Sequence, residues 1–301
     1  MHFQIPYALT RHLMLAAIFL LPISHATAID EGAKTAAQTR LVAQDNLVYM
    51  QTSTGMVVIE LTDSIAPNHV NRFKQLVAEG FYDGLDFYRV IDGFVAQAGD
   101  VSEQKATKFK QPLKAEFSRT NSGHPQEFVG VQQPAFLAQE TGFIEDFPAG
   151  RNLDDDRQWL LHCPGMVAMA RNNEADSATT EFYIVIGQAP RHLDRNMSVF
   201  GQVVYGLQNV QAMHRGDPAV GGGVIENKDK RTVIVSAKLG AQVPPSEQLQ
   251  IVRDTAASDA FQQRLSSARS LDNPFYHYSG TGNIDVCYYR PRVTVKSVGA
   301  E

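Results

Sequence analysis

Arg89 and Gln97 are the side chains whose types and placement point most directly to chemistry. They stand in Phe87-Tyr88-Arg89-Val90-Ile91-Asp92-Gly93-Phe94-Val95-Ala96-Gln97-Ala98-Gly99-Asp100, one cation and one carboxamide among apolar neighbours. The stretch reads as two short strands separated by an Asp-Gly turn. A guanidinium stays charged and presents several donors in a rigid fork, and a carboxamide can hold that fork in place. Such a pair can stabilise a lone pair or charge that develops during a reaction, with no covalent intermediate. On spacing alone, a surface arginine or one in a structural ion pair is the commoner case.

Other candidates carry less. Asp154-Asp155-Asp156 lacks the glycine and glutamate spacing of a calcium loop and reads as a solvated turn. His162, His192 and His214 show no metal-ligand spacing. Gly221-Gly222-Gly223 is not followed by Lys-Ser/Thr and is no phosphate loop. Ser118 or Ser122 near His124 makes no nucleophile elbow.

The chain has 301 residues, 44% apolar and 20% charged, as in a soluble globular protein. Its net charge of -5 and the lack of a basic block argue against a general nucleic-acid binder. Arg11 and His12 precede an apolar run, Leu13 to Ile23, too short to span a bilayer comfortably. Ala26-Thr27-Ala28 supplies an A-x-A site. Residues 1–28 therefore read as a signal peptide cleaved after Ala28. Export to a periplasm, with no stable membrane insertion afterwards, is the expectation. Residues 29–46 read as a loosely held lead-in. Cys163 and Cys287 allow one intramolecular pairing in an oxidising compartment, or two separate buried thiols.

The elements that must position Arg89 and Gln97 follow from periodicity. Leu47–Thr52 and Met56–Leu61 read as a hairpin, with Val57, Ile59 and Leu61 on one face. Pro67 opens a helix with Val70, Phe73 and Val77 at helical spacing, stopping near Gly80. Residues 101–163 are the least regular part. Strands resume at Met166–Arg171, Phe182–Ile186, Val199–Tyr205 and Thr232–Leu239, with a short helix over Leu207–Met213. Dominance of short strands argues for an antiparallel barrel or sandwich. Beyond Pro244-Pro245, in a C-terminal extension over residues 241–301, Leu249, Val252, Ala256, Phe261 and Leu265 suggest a helix.

Several motifs in order across residues 47–240 resemble the cyclophilins. They are "AP..V.RF..L...GFYDG", "FYRVIDGFVAQAGD", "PGMVAMAR", "SATTEFYIVIG" and "LDRNMSVFGQVVYGL". The resemblance implies a closed eight-stranded antiparallel β-barrel capped by two helices, with a proline pocket on its outer face. It implies peptidyl-prolyl cis-trans isomerase activity on proline-containing polypeptide clients, with no metal or organic cofactor needed. By position, Arg89 matches the family's catalytic arginine and Gln97 the glutamine that steadies it and bonds substrate. Phe94 matches the pocket floor, with Val95 beside it. Ala170 and Arg171 fall on the groove segment that pairs with peptide, and Tyr183, Leu193 and Met197 at pocket positions.

Five departures stand out, one of them His192, which lies where some members have a tryptophan. Glu181 replaces a glutamine of the groove, and would either salt-bridge Arg89 or pair with Arg171. Met197 stands where histidine or an aromatic is common. Tyr183 stands where phenylalanine is usual. Residues 101–163 make an insertion about twice the usual length of that stretch. Glu181, Met197 and the insertion also motivate a second reading, a peptide-binding or assembly module that keeps the barrel with weak or no turnover.

Overall fold

The apolar alternation of Leu47–Thr52 and Gly55–Leu61 folds the two strands onto each other, residue 52 pairing with 55. Thr52 Oγ1 donates to the Gly55 carbonyl at 2.7 Å and ties the turn. In the computed structural model, which describes residues 37–121, 128–188 and 190–297, this hairpin is one side of a closed barrel. Around the barrel the order is Met166–Met169, Phe182–Val185, Val95–Gly99, Asp86–Val90, Thr232–Leu239, Leu47–Thr52, Gly55–Leu61, Val199–Tyr205. The last strand pairs back onto the first, and all pairings are antiparallel. No sheet edge is left open on this element.

The barrel interior is filled by residues of one pleat face, including Val57, Ile59, Phe87, Ala96, Phe182 and Phe200. The Pro67–Ala78 helix covers it with Phe73, whose ring lies 5.2 Å from Phe182 and 5.0 Å from Phe200. A second, shorter helix spans Leu207–Gln211.

Residues 101–163, expected to be irregular, contain a five-stranded antiparallel sheet. Its spatial order is Arg119–Thr120, Arg157–Leu160, Phe147–Asn152, Glu140–Ile144, Phe128–Gln132. Phe143, Phe147, Ala149 and Trp159 form its inner face and join the Asp259–Ser270 helix, with Phe143 and Phe261 rings 5.4 Å apart. The sheet therefore builds a second core on the outside of the barrel.

The extension also departs from expectation. Leu249–Asp254 is a strand, and only Asp259–Ser270 is helical. Ile251 and Arg253 are the buried members of that strand, an alternation of two that hides behind a charged residue. The strand joins Thr39–Leu41 and Val293–Ser297 in a three-stranded sheet. Thr39–Leu41 is thus held in place, not loose, within the lead-in. The proposed signal peptide lies outside the described residues.

One buried network ties these additions to the barrel. Arg253, fully buried, donates to Glu60 Oε2 at 2.6 Å and to the Asp146 carbonyl at 2.7 Å. Arg40 bridges Glu60 and Asp146, both at 2.7 Å. Lead-in, barrel, insertion and extension thereby share one charge cluster. Cys163 and Cys287 are joined in a disulfide that fastens the extension to the end of the insertion. Among the described residues, no helix is long and apolar enough to cross a membrane.

Candidate active site

Arg89 and Gln97 face each other directly, as register partners of adjacent strands. The register of Asp86–Val90 shifts between Asp86 and Arg89, and both Arg89 and its neighbour Tyr88 reach Gln97. Arg89 Nη1 donates to Gln97 Oε1 at 3.2 Å, and Arg89 Nε donates to the Gly222 carbonyl at 2.8 Å. The triple glycine thus holds the guanidinium, a role that no spacing rule announces. Gly222 has φ +63, in the left-handed region open to glycine. Neither partner of Arg89 belongs to the insertion.

The far end of Gln97 is committed inward. Its Nε2 donates to Tyr88 Oη at 2.5 Å and to Glu181 Oε2 at 2.8 Å. Tyr88 in turn donates to the same Glu181 oxygen at 2.5 Å. Both amide hydrogens of Gln97 are in use, so the carboxamide aligns Arg89 but has no donor left for a substrate backbone. Glu181 pairs with neither Arg89 nor Arg171; it accepts from Gln97 and Tyr88. A Cβ at Gly99 would lie 2.7 Å from Glu181 Cγ, so glycine there admits this close approach. Burial, then the Glu181 charge, pushes the Tyr88 hydroxyl far above the usual phenol range, so it stays a donor.

Beside this polar triad lies an apolar surface. Val95 and Tyr183 are buried, and Phe94, Ala170, Leu193 and Met197 pack half-exposed against the same cluster. Phe94 follows the Asp92-Gly93 turn, and its ring stacks on His192 at 6.0 Å. Leu193 ends a short 3-10 turn, Arg191–Leu193. Tyr183 is the register partner of Gln97, which joins the apolar surface to the polar triad. The Ala170 amide already donates to the Glu181 carbonyl at 2.8 Å. Arg171 donates to the carbonyls of Asn196 at 3.0 Å and Asn172 at 2.7 Å, which fixes the end of the groove strand to the 193–197 loop.

Tyr183 has a further partner that its sequence position does not reveal. His162, at the end of the insertion, sets Nε2 2.9 Å from Tyr183 Oη and Nδ1 2.9 Å from Asp194 Oδ1. The His162 amide donates to the same Asp194 oxygen at 2.9 Å, and Arg191 bonds the other oxygen. A carboxylate only accepts, so Nδ1 carries the proton and Nε2 accepts from tyrosine. Burial pushes the His162 imidazole below its usual range, against the pull of Asp194. Burial also pushes the Tyr183 hydroxyl well above the phenol range. A buried tyrosine hydroxyl needs a partner, and the insertion supplies it.

The family model for cyclophilin type peptidyl-prolyl cis-trans isomerase/CLD matches residues 47–239. A probable peptidyl-prolyl cis-trans isomerase of Brucella suis is 32% identical over 65% of this chain and 85% of its own. Peptidyl-prolyl cis-trans isomerase A of Dickeya dadantii is 30% identical over 64% of this chain and 83% of its own. The crystal structure of cyclophilin AquaCyp293 from Hirschia baltica superposes with a TM-score of 0.68 at 27% identity, covering 85% of this chain and 93% of that one. That coverage is larger than the share residues 47–239 make up, so the likeness reaches beyond the barrel and its insertion. A closed eight-stranded barrel with a cation beside an apolar surface fits the scaffold of that family. The chain belongs to the cyclophilin-type peptidyl-prolyl cis-trans isomerases.

Proposed function

We propose that this isomerase acts on X-Pro bonds of unfolded or partly folded exported proteins, with Arg89 as the catalytic cation and Gln97 as its aligner. Export is inferred from the leader-like residues 1–28, and a periplasmic setting from the same feature. A disulfide between Cys163 and Cys287 is consistent with an oxidising compartment.

The chemistry follows from amide resonance, which sets a barrier of about 18–20 kcal/mol. In the twisted transition state the proline nitrogen regains its lone pair. A donor fixed on that nitrogen favours the twisted amide over the planar one. Arg89, held from two sides by Gln97 and Gly222, supplies the donor without reorganising. One hydrogen bond to a charged group contributes about 1.5–3 kcal/mol, roughly ten- to hundred-fold in rate. The remainder comes from gripping the ring on half-exposed Phe94, Leu193 and Met197, backed by buried Val95 and Tyr183, while the preceding carbonyl turns. A bound peptide that displaces water from the half-exposed guanidinium would strengthen its field. The observation that carries the reading is the two-sided hold on Arg89 beside this apolar surface.

The test is exchange NMR on an Ala-Pro peptide. Wild type should accelerate the exchange and Arg89→Ala should lose about a hundred-fold; equal rates for the two would sink the proposal. A weaker enzyme, binding more than it turns over, is the second reading. It is favoured by Glu181, which occupies the Gln97 amide that a substrate backbone would otherwise use.

A further inference from the structure

The insertion and the extension form a half-open cavity of about 880 Å³ against the barrel. Phe136, Ile284 and Tyr288 supply apolar wall; Gln188 and Arg191 come from the barrel side; Cys287 stands at the disulfide. Ligand pockets of roughly 300–1,000 Å³ with apolar walls and a few polar groups are the usual form of such sites. Phe136 and Tyr288 are 77% and 79% exposed, so two aromatic side chains flank the opening.

This cavity is built and braced. Gln132 Nε2 donates to Asn283 Oδ1 at 3.0 Å, and the Ile284 amide donates to Gln132 Oε1 at 2.8 Å. Arg290 donates to the Pro164 carbonyl at 2.6 Å. Arg191 donates to the Phe136 carbonyl at 3.3 Å while bonding Asp194.

Its position is set by chain continuity with the proline pocket. Arg191 lines the cavity, while the next two residues, His192 and Leu193, stack on Phe94 and line the pocket. At the other end Gly187 lies against Gly93, and Gln188 turns into the cavity; a Cβ at Gly187 would fall 1.8 Å from the Gly93 carbonyl oxygen. Arg191, His192 and Leu193 are consecutive in the chain, so the two sites share one stretch of wall.

Resting on the isomerase reading above, we infer that this cavity is a second client subsite: it takes a large apolar or aromatic side chain close in sequence to the proline held at Phe94. The substrate class is therefore an X-Pro segment with a nearby aromatic residue, not an isolated X-Pro bond. Burial of one such side chain is worth about ten- to hundred-fold in affinity.

The experiment compares the full chain on an Ala-Pro tetrapeptide and on a peptide of about 12 residues with a phenylalanine two to four residues from the proline. The expected result is kcat/KM at least about ten-fold higher for the long peptide, carried in KM. In Phe136→Ser/Tyr288→Ser that ratio should fall at least about five-fold. A ratio equal in wild type and variant overturns the inference. If wild type accelerated neither peptide, the isomerase reading would fail; fluorescence titration with the long peptide then tests the cavity separately, with equal affinity in the variant counting against it. Sedimentation showing a dimer that the double substitution abolishes would give the cavity to a second copy, and would also overturn the inference.

Discussion

Gln97 and Glu181 are locked together, with Gln97 Nε2 donating to Glu181 Oε2 at 2.8 Å. The bond decides what Gln97 can do. Its oxygen is turned to Arg89 and its nitrogen is withdrawn from any bound chain. Glu181→Gln weakens a charge-assisted bond into a neutral one and frees the carboxamide to serve substrate. Activity should rise about three- to ten-fold, measured as kcat/KM on an X-Pro peptide. No change would show that Glu181 does not restrain Gln97, and a fall would show that it supports turnover.

Tyr183 and His162 stabilise each other across the boundary between barrel and insertion. Tyr183→Phe leaves buried His162 Nε2 without its donor and should cost about 1–3 kcal/mol in urea melts. Replacing both, as Tyr183→Phe/His162→Phe, should recover part of that loss. A double-mutant cycle with no coupling would contradict the assigned bond.

His162 also gives the fold an acid sensitivity. Its imidazole is held below the ordinary value, chiefly by burial, with Asp194, Arg191 and His192 as its charged or titratable neighbours. The unfolded chain therefore binds the proton first as pH falls. The stabilisation is complete above about pH 6.5 and is lost as pH drops through the depressed value. A melting temperature followed from pH 7.5 to 5 should fall in wild type and fall less in His162→Phe.

Reduction of Cys163–Cys287 opens a loop of 124 positions. In the chain-entropy account a loop near that length is worth about 4–5 kcal/mol. Denaturant midpoints with and without reductant should separate accordingly. Matching midpoints would mean that the packing of the extension alone holds it.

Arg253→Met removes the buried partner of Glu60 and should cost about 3–5 kcal/mol, because the remaining carboxylate is left in a dry site with Arg40 alone. The joint change Glu60→Leu/Arg253→Met should cost less than the single one.

The barrel was legible because its strands keep a period of two with one apolar face, and because Arg89, Phe94 and Gln97 sit in one short segment. The five-stranded sheet was not. Its strand Phe147–Asn152 contains Pro148 and Gly150, residues that punctuate chains rather than extend them. The Leu249–Asp254 strand was mistaken for a helix because Leu249, Val252 and Ala256 happen to fall at helical spacing. The buried inward position is a charge, Arg253, which apolar periodicity discards. His162 and Asp194 escaped notice for another reason. Their meaning lies in contact with Tyr183, and a single sequence carries no record of such pairs. The pairings offered for Glu181 missed for the same cause: a tyrosine one residue from Arg89, not an ion, satisfies it along with Gln97.

The charge cluster at Glu60 sets an order of assembly. Chains are made from the N-terminus, so the Gly55–Leu61 strand exists long before Arg253. Until Arg253 arrives, Glu60 has Arg40 but lacks its buried partner, and the oxygen that Arg253 covers is left to water. The C-terminal extension is thus the latch of maturation: a chain cut before Leu249 keeps every residue of the catalytic surface and lacks the closing cation.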